Sequence, residues 1–272
     1  LSSIDPLLIV ELLALGLVSG FLAGLLGIGG GMLMVPVMTL ILSQRGVDSG
    51  MAVKMAIATS MATILFTSIS SVRAHHRRGA VRWDLVLGLA PGIALGGLTA
   101  GAGIFALLKG ASLALVFALF VGFSAIQMLR NKKPSPSRQM PGTAGQIGAG
   151  AGIGLLSGLV GAGGGFVSVP FMSWCNVPMH RAVATSAALG FPIALANTVG
   201  YLVGGRSLQP ALPGAFGYLY LPALLVVAAA SVTMAPLGAR TAHAMNVAQL
   251  KRAFACLLFV LAAYMLYKGL SG

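Results

Sequence analysis

Two glycine triplets stand out as residues that could do chemistry. Gly29, Gly30 and Gly31 precede Met-Leu-Met-Val-Pro36, and Gly163, Gly164 and Gly165 precede Phe-Val-Ser-Val-Pro170. A helix starting at such a break exposes free N–H groups and partial positive charge, which suits an anion. Glycine also lets backbone approach a ligand closely. A nucleotide-binding loop does not fit, because no strand precedes either triplet and no acid follows at the needed distance. Thr59-Ser60 and Thr185-Ser186 are the next candidates; such hydroxyls bind a ligand or bond their own helix backbone. Lys54 and His180 each lie five residues before the respective Thr, placed to attract an anion or to anchor a helix end at an interface. Asn197 and Tyr201 need polar partners, either a substrate or a neighbouring helix.

The missing chemistry is equally informative. Only 4 Asp and Glu stand against 17 Lys and Arg, giving a net charge of +13. No acid lies near the centre of an apolar run, so a proton-relay carboxylate or a sodium cage is lacking. There is no acid–base pair or Ser/His/Asp set, which argues against an enzyme, and no cofactor motif. His75-His76 beside Arg77-Arg78 lacks metal-ligand partners and reads as a basic surface patch. Cys175 and Cys256 lie in apolar surroundings and read as small apolar fillers; the other reading is a reactive thiol at Cys175.

The elements that must hold these residues follow from composition. Of 272 residues, 57% are apolar and 8% charged, whereas a soluble domain carries roughly 25% charged residues. Mean hydropathy is +0.95. On a soluble chain the basic excess would suggest nucleic acid; here lipid is the solvent and the excess marks loops. Charge-free runs such as 85–108, 110–129 and 182–205 suit the ~20 residues that cross a bilayer core. The chain therefore reads as an all-α polytopic membrane protein of about 8–10 helical segments. The runs 12–44 and 139–180 are too long for one helix and carry the glycine triplets near their middles. Each reads as helix, break, then a short helix that crosses about half the membrane.

The chain is duplicated. Besides the glycine segments, Ala56-Ile-Ala-Thr-Ser60 reappears as Ala182-Val-Ala-Thr-Ser186. We place a first repeat at 1–130, a basic linker at 131–143 and a second repeat at 144–272. Basic residues cluster at 73–82 in the first copy and at 240–252 in the second, on opposite ends of equivalent helices. By the positive-inside rule the repeats are inverted, with the linker cytoplasmic and both termini outside. Residues 1–11 carry Asp5 and Glu11 and no Lys or Arg, the reverse of a secretory leader. Glu11 is expected at the interface. Gly88, Gly92, Gly96, Gly97 and Gly101 follow small-residue spacing and are expected to pack helices.

These residues resemble a known group. Gly27-Ile-Gly-Gly-Gly…Val-Pro and Gly161-Ala-Gly-Gly-Gly…Val-Pro, each followed by Ala-x-Ala-Thr-Ser, look like the sulfite exporter TauE/SafE family, also called toluenesulfonate uptake permeases. The resemblance spans nearly the whole chain. His180 in His-Arg-Ala-Val-Ala-Thr-Ser matches the family pattern, and Lys54 departs from it. The resemblance implies movement of sulfur-containing anions such as sulfite, sulfoacetate and related sulfonates, with direction and coupling ion differing among members.

The expectation is a multi-pass secondary transporter of the inner membrane for a small sulfur-containing anion. The glycine amides, Thr59, Ser60, Thr185, Ser186 and Asn197 are expected to hold the anion between the repeats, with Lys54 and His180 as flanking cations. Alternating access follows from rocking of the repeats, with a proton, carried on the substrate, as the coupling ion. An anion channel and a non-transporting membrane scaffold are the alternatives.

Overall fold

A computed structural model describes residues 5–26, 30–130, 138–241 and 247–271. Gly29 and most of the expected linker fall outside these ranges. Ten helical segments follow one another: α1 (Pro6–Leu26), α2 (Gly31–Gln44), α3 (Ser49–His76), α4 (Trp83–Leu107), α5 (Gly110–Arg130), α6 (Thr143–Val160), α7 (Gly165–Trp174), α8 (Met179–Gly205), α9 (Leu221–Thr241) and α10 (Val247–Ser271). Among the described residues, eight are long and apolar enough to cross a membrane. The protein is a multi-pass membrane protein.

The two exceptions are α2 and α7, of 14 and 10 residues. At ~1.5 Å per residue they reach about 21 and 15 Å, well short of a bilayer core. Each carries the duplicated proline, Pro36 or Pro170, and α7 follows a break at Gly161–Gly164. The helix-break-helix expectation holds at the second triplet; at the first, α1 ends at Leu26 and α2 starts at Gly31, and residues 27–29 between them lie outside the described residues. A π-helical turn, Ala100–Ile104, interrupts α4, where Gly101 lies against the backbone of Asn197 and Gly200.

Packing repeats between the halves. α1 packs on α9 and α6 on α4; α2 packs on α3 and α7 on α8; α3 and α8 pack on each other, as do α5 and α10. Glycine makes the closest approaches. Gly92 and Gly96 meet backbone carbonyls of Ile147 and Ala151, while Gly150 and Gly154 meet those of Leu89 and Ile93. Without a hydrophobic force between helices in lipid, such close backbone contact is what holds them. The packing role expected of these glycines is what the structure has. The most enclosed spans are α3 and α8, 61% and 67% buried against 33% for α1.

One end of the bundle gathers Asp5, Arg45, Asp48, Lys109 and Lys268. Arg45 bridges Asp5 and Glu11, each at 2.9 Å, and Lys268 Nζ lies 3.5 Å from Ser43 Oγ. Glu11 thus sits in the second turn of α1, beside the Arg45 guanidinium. The opposite end carries Arg78, Arg82 and the start of α8. Between Gly205 and α9, Ala215–Phe216 and Leu219–Tyr220 form a two-stranded antiparallel hairpin, β1 and β2.

Candidate functional site

The start of α2 meets the second glycine break inside the bundle. Gly31, the first residue of α2, sits so close to the Gly161 carbonyl that any side chain there would overlap it. Ser60 Oγ donates to that same carbonyl at 3.2 Å. Ser60 of the first Thr-Ser pair is thus bound to the second glycine break.

The second break is the better defined. Gly161 and Gly164 have φ of 73° and 75°, the left-handed region that side chains disfavour. Gly164 is the residue before α7, and its carbonyl accepts the N–H groups of Val167 and Ser168. The N–H groups of Gly165 and Phe166 have no backbone acceptor among the described residues, as a helix start leaves them. Ser157 Oγ is buried and unpartnered, and it lies where a side chain on Gly164 would touch it. Sequence reasoning missed Ser157. Its signal was present, since it precedes Gly161 by four residues and so lies one helical turn below the break.

A cavity of about 140 Å³ opens onto this break; its wall includes Gly163, Gly165, Ser186, Ser68, His75 and Arg78. A site needs roughly 10–15 Å³ to hold one water, so this space takes a small anion with some of its hydration. Ser186 Oγ accepts from Ser168 Oγ at 2.8 Å, which leaves the Ser186 proton free to donate. His75 belongs to this wall as well as to the basic patch expected of it. The arrangement presents uncommitted donors from a helix start and a serine, with a guanidinium at one end.

The remaining candidates sit elsewhere. The Thr59 hydroxyl accepts Tyr220 N–H at 3.0 Å, and that of Thr185 accepts Arg82 N–H at 3.0 Å. Both are fully buried and retain a hydroxyl proton with no acceptor among the described residues. Asn197 Nδ2 donates to the carbonyls of Ile193 at 2.8 Å and Gly154 at 3.2 Å, an interhelical tie from α8 to α6. Tyr201 makes a second tie through its hydroxyl to the Gly158 carbonyl. Lys54 Nζ donates to Ala106 O at 3.1 Å and faces the rings of Tyr218 and Phe105. His180 is exposed in the first turn of α8, at the opposite end from Lys54. The structure therefore joins Gly31, Ser60 and the second glycine loop, and it separates Lys54 from His180.

Burial pushes the Cys175 thiol above its ordinary range, against a smaller opposing pull from Arg138. A thiol held protonated is a poor nucleophile, which fits the filler reading.

The sulfite exporter TauE/SafE family model matches residues 12–265. A probable membrane transporter protein of Haemophilus influenzae is 34% identical over 258 residues, covering 94% of this chain and 97% of that one. A probable membrane transporter protein of Methanocaldococcus jannaschii is 28% identical over 269 residues, covering 96% of each. The probable membrane transporter protein YunE of Bacillus subtilis is 27% identical over 221 residues, 72% of this chain and 79% of that one. No solved structure matches the chain.

Proposed function

This chain belongs to the sulfite exporter TauE/SafE family of membrane transporters, and from that premise we propose that it is a secondary transporter of a small sulfur-containing anion. Sulfite, sulfoacetate and related organosulfonates are the substrate class. The observation that carries this reading is the cavity between Arg78 and the start of α7. There a desolvated anion gains N–H donors at Gly165 and Phe166, the Ser186 hydroxyl and the partial positive charge of the helix start. The neighbouring Ser157 hydroxyl, buried without a partner, gains an acceptor if the anion reaches it.

The first repeat contributes through Gly31 and Ser60, whose contacts run to the second break, and through Gly30, which lies against Ser19 of α1; Gly29 belongs to the same proposed loop. Thr59 and Thr185 have protons left to donate. Asn197 supports the walls through α6 rather than the anion itself, and Lys54 and His180 flank the path at its two ends. The matched pairing of α1 with α9 and of α6 with α4 supports two inverted copies that rock about the breaks. With the basic loops cytoplasmic, the Arg78 end faces inward.

Asp5, Asp48 and Asp84 lie at helix starts and Glu11 in the second turn of α1. Asp5 and Glu11 pair with Arg45, Asp84 pairs with Arg82, and Asp48 caps α3. That supports proton coupling carried on the substrate rather than on a buried carboxylate.

The test is flux into liposomes holding the purified protein. Sulfite or sulfoacetate on one side should drive counterflow of labelled substrate from the other, which a channel cannot do. Gly164→Leu should abolish it in protein that remains folded by thermal unfolding. Unchanged counterflow in that variant overturns the site, and absence of any anion flux overturns the function.

A further inference from the structure

At the Arg45 end a second and larger cavity, about 360 Å³, opens between α3, the start of α5 and the end of α10. Three lysines line it, Lys54, Lys109 and Lys268, together with one acid, Asp48. The Asp48 carboxylate is turned to the N–H groups of Gly50 and Met51 at 3.0 and 3.1 Å. The other three Asp and Glu side chains are engaged with Arg45 and Arg82, so no further acidic side chain is available among the described residues. Even counting Asp48, the cavity holds an excess of two positive charges.

Nothing about packing requires this. Lys54 is held by Ala106 O and by the Tyr218 and Phe105 rings, with its ammonium 5.4 and 5.9 Å from their centres. It is fixed toward the cavity wall rather than free to reach bulk water. Lys268 is half-buried and Lys109 exposed; they arrive from α10 and from the turn before α5, brought together by the packing of those two helices. Like charges gathered beside apolar walls repel one another and are poorly solvated. The starts of α3 and α5, at Ser49 and Gly110, lie in the same wall and add partial positive charge. A bound anion relieves all of these costs together.

We propose that the Lys54–Lys109–Lys268 cavity is a second anion site, built for a compact oxyanion carrying one to two negative charges. It lies at the far end of the bundle from the α7 break and does not depend on the transport reading. Free sulfate or phosphate and the phosphate of an anionic lipid headgroup offer the same chemistry to three ammonium groups.

The experiment uses full-length protein in phosphatidylcholine nanodiscs at low ionic strength. Equilibrium binding of radiolabelled sulfate is measured for the native protein, the Lys109→Gln/Lys268→Gln variant, the Lys109→Arg/Lys268→Arg variant and Ser186→Ala. Removing two of three cations should weaken sulfate binding at this site about tenfold or more. The arginine variant should keep it, and in Ser186→Ala the component of sulfate binding that the glutamine variant loses should remain. Thermal unfolding supplies a second readout. Without anion, the glutamine variant should be more stable than the native protein, because repulsion is relieved, and it should lose the stabilisation that sulfate gives. A third arm adds phosphatidylglycerol to the discs. Lysine-dependent stabilisation by that lipid, without sulfate binding, assigns the site to a headgroup. The proposal is overturned if the glutamine variant matches the native protein in its response to sulfate, phosphate and phosphatidylglycerol, whatever happens at the α7 break.

Discussion

The Thr59 hydroxyl, in the middle of α3, accepts the backbone N–H of Tyr220 at 3.0 Å, a residue 161 positions away. Its repeat-mate Thr185 does the same for Arg82 at 3.0 Å, 103 positions away. Tyr220 and Arg82 each immediately precede the fourth helix of a half. Each half of the chain therefore supplies a side-chain acceptor for the start of a helix in the other half, where N–H groups lack intrahelical partners.

Thr→Val keeps the shape of these side chains and removes the acceptor. Leaving a buried N–H unpaired costs about 1–3 kcal/mol, so Thr59→Val and Thr185→Val should each lower stability by that much. Thr59→Ser and Thr185→Ser should lose much less, since the acceptor stays. Denaturant unfolding in detergent measures this, and equal behaviour of the Val and Ser variants would show that the contact carries no stability.

Gly163 and Gly164 are neighbours with opposite tolerances. A methyl on Gly163 would lie 3.4 Å from Ile64 Cγ2, an ordinary contact, whereas Gly164 has φ 75° and would drive a methyl into Ile193 Cδ1. Gly163→Ala should retain flux within about twofold. Gly164→Ala should destabilise by about 1 kcal/mol or more from left-handed backbone strain and reduce flux further by tilting the start of α7. Parallel liposome assays of the two variants, normalised to folded protein, decide it.

Much of this architecture was legible in the sequence because lipid penalises charge uniformly. Runs between Lys, Arg, Asp and Glu therefore mark spans, and the run after Glu11 was too long for one helix and too short for two full ones. The triplets declared the breaks because few other residues tolerate such backbone approach. Partnership across the repeats was not legible. Nothing local to Thr59 indicates that Tyr220 will claim its oxygen, and Ser60 alone does not point to the Gly161 carbonyl. Lys54, Lys109 and Lys268 are far apart in the chain and converge only through helix packing. Asn197 was legible as a residue needing a partner, but which partner required α6 to be placed.

Asn197 separates two roles by experiment. Its amide bonds Gly154 and Ile193, and its Oδ1 is buried against Gly158 without a donor. Interhelical bonds of this kind in membranes are worth about 0.6–2 kcal/mol. Asn197→Ala should lose about that much stability while the flux per folded molecule keeps its half-saturation concentration. A severalfold rise in that concentration would instead place Asn197 on the substrate.

The tie between α1 and α2 has a pH signature. The Arg45 guanidinium beside Asp5 holds its carboxyl below the usual carboxylate range. A depressed folded value means the contribution is fully present above the unfolded value of about 3.9 and is lost as pH falls through the folded value. The difference in thermal midpoint between native protein and Asp5→Asn should therefore hold steady from neutral pH down to about pH 5 and close below the ordinary Asp range. Because the pair is exposed, the difference should also shrink with added salt.

Arg78 tests whether the first cavity admits anions electrostatically. It lines the wall with His75 at the end away from the Arg45 bridge, and no ion pair to it appears among the described residues. A guanidinium at the mouth of an apolar-walled cavity raises the local anion concentration, and the effect weakens as salt screens it over about 8–10 Å. Arg78→Gln should therefore raise the half-saturation concentration for sulfite about threefold to tenfold at low ionic strength, with little change in maximal flux. At high salt the native protein and the variant should converge. Arg78→Lys should restore most of the low-salt affinity, because charge rather than bidentate geometry is what steering uses. Loss of maximal flux with an unchanged half-saturation concentration would mean that Arg78 supports the moving helices instead, and the anion path would have to enter elsewhere.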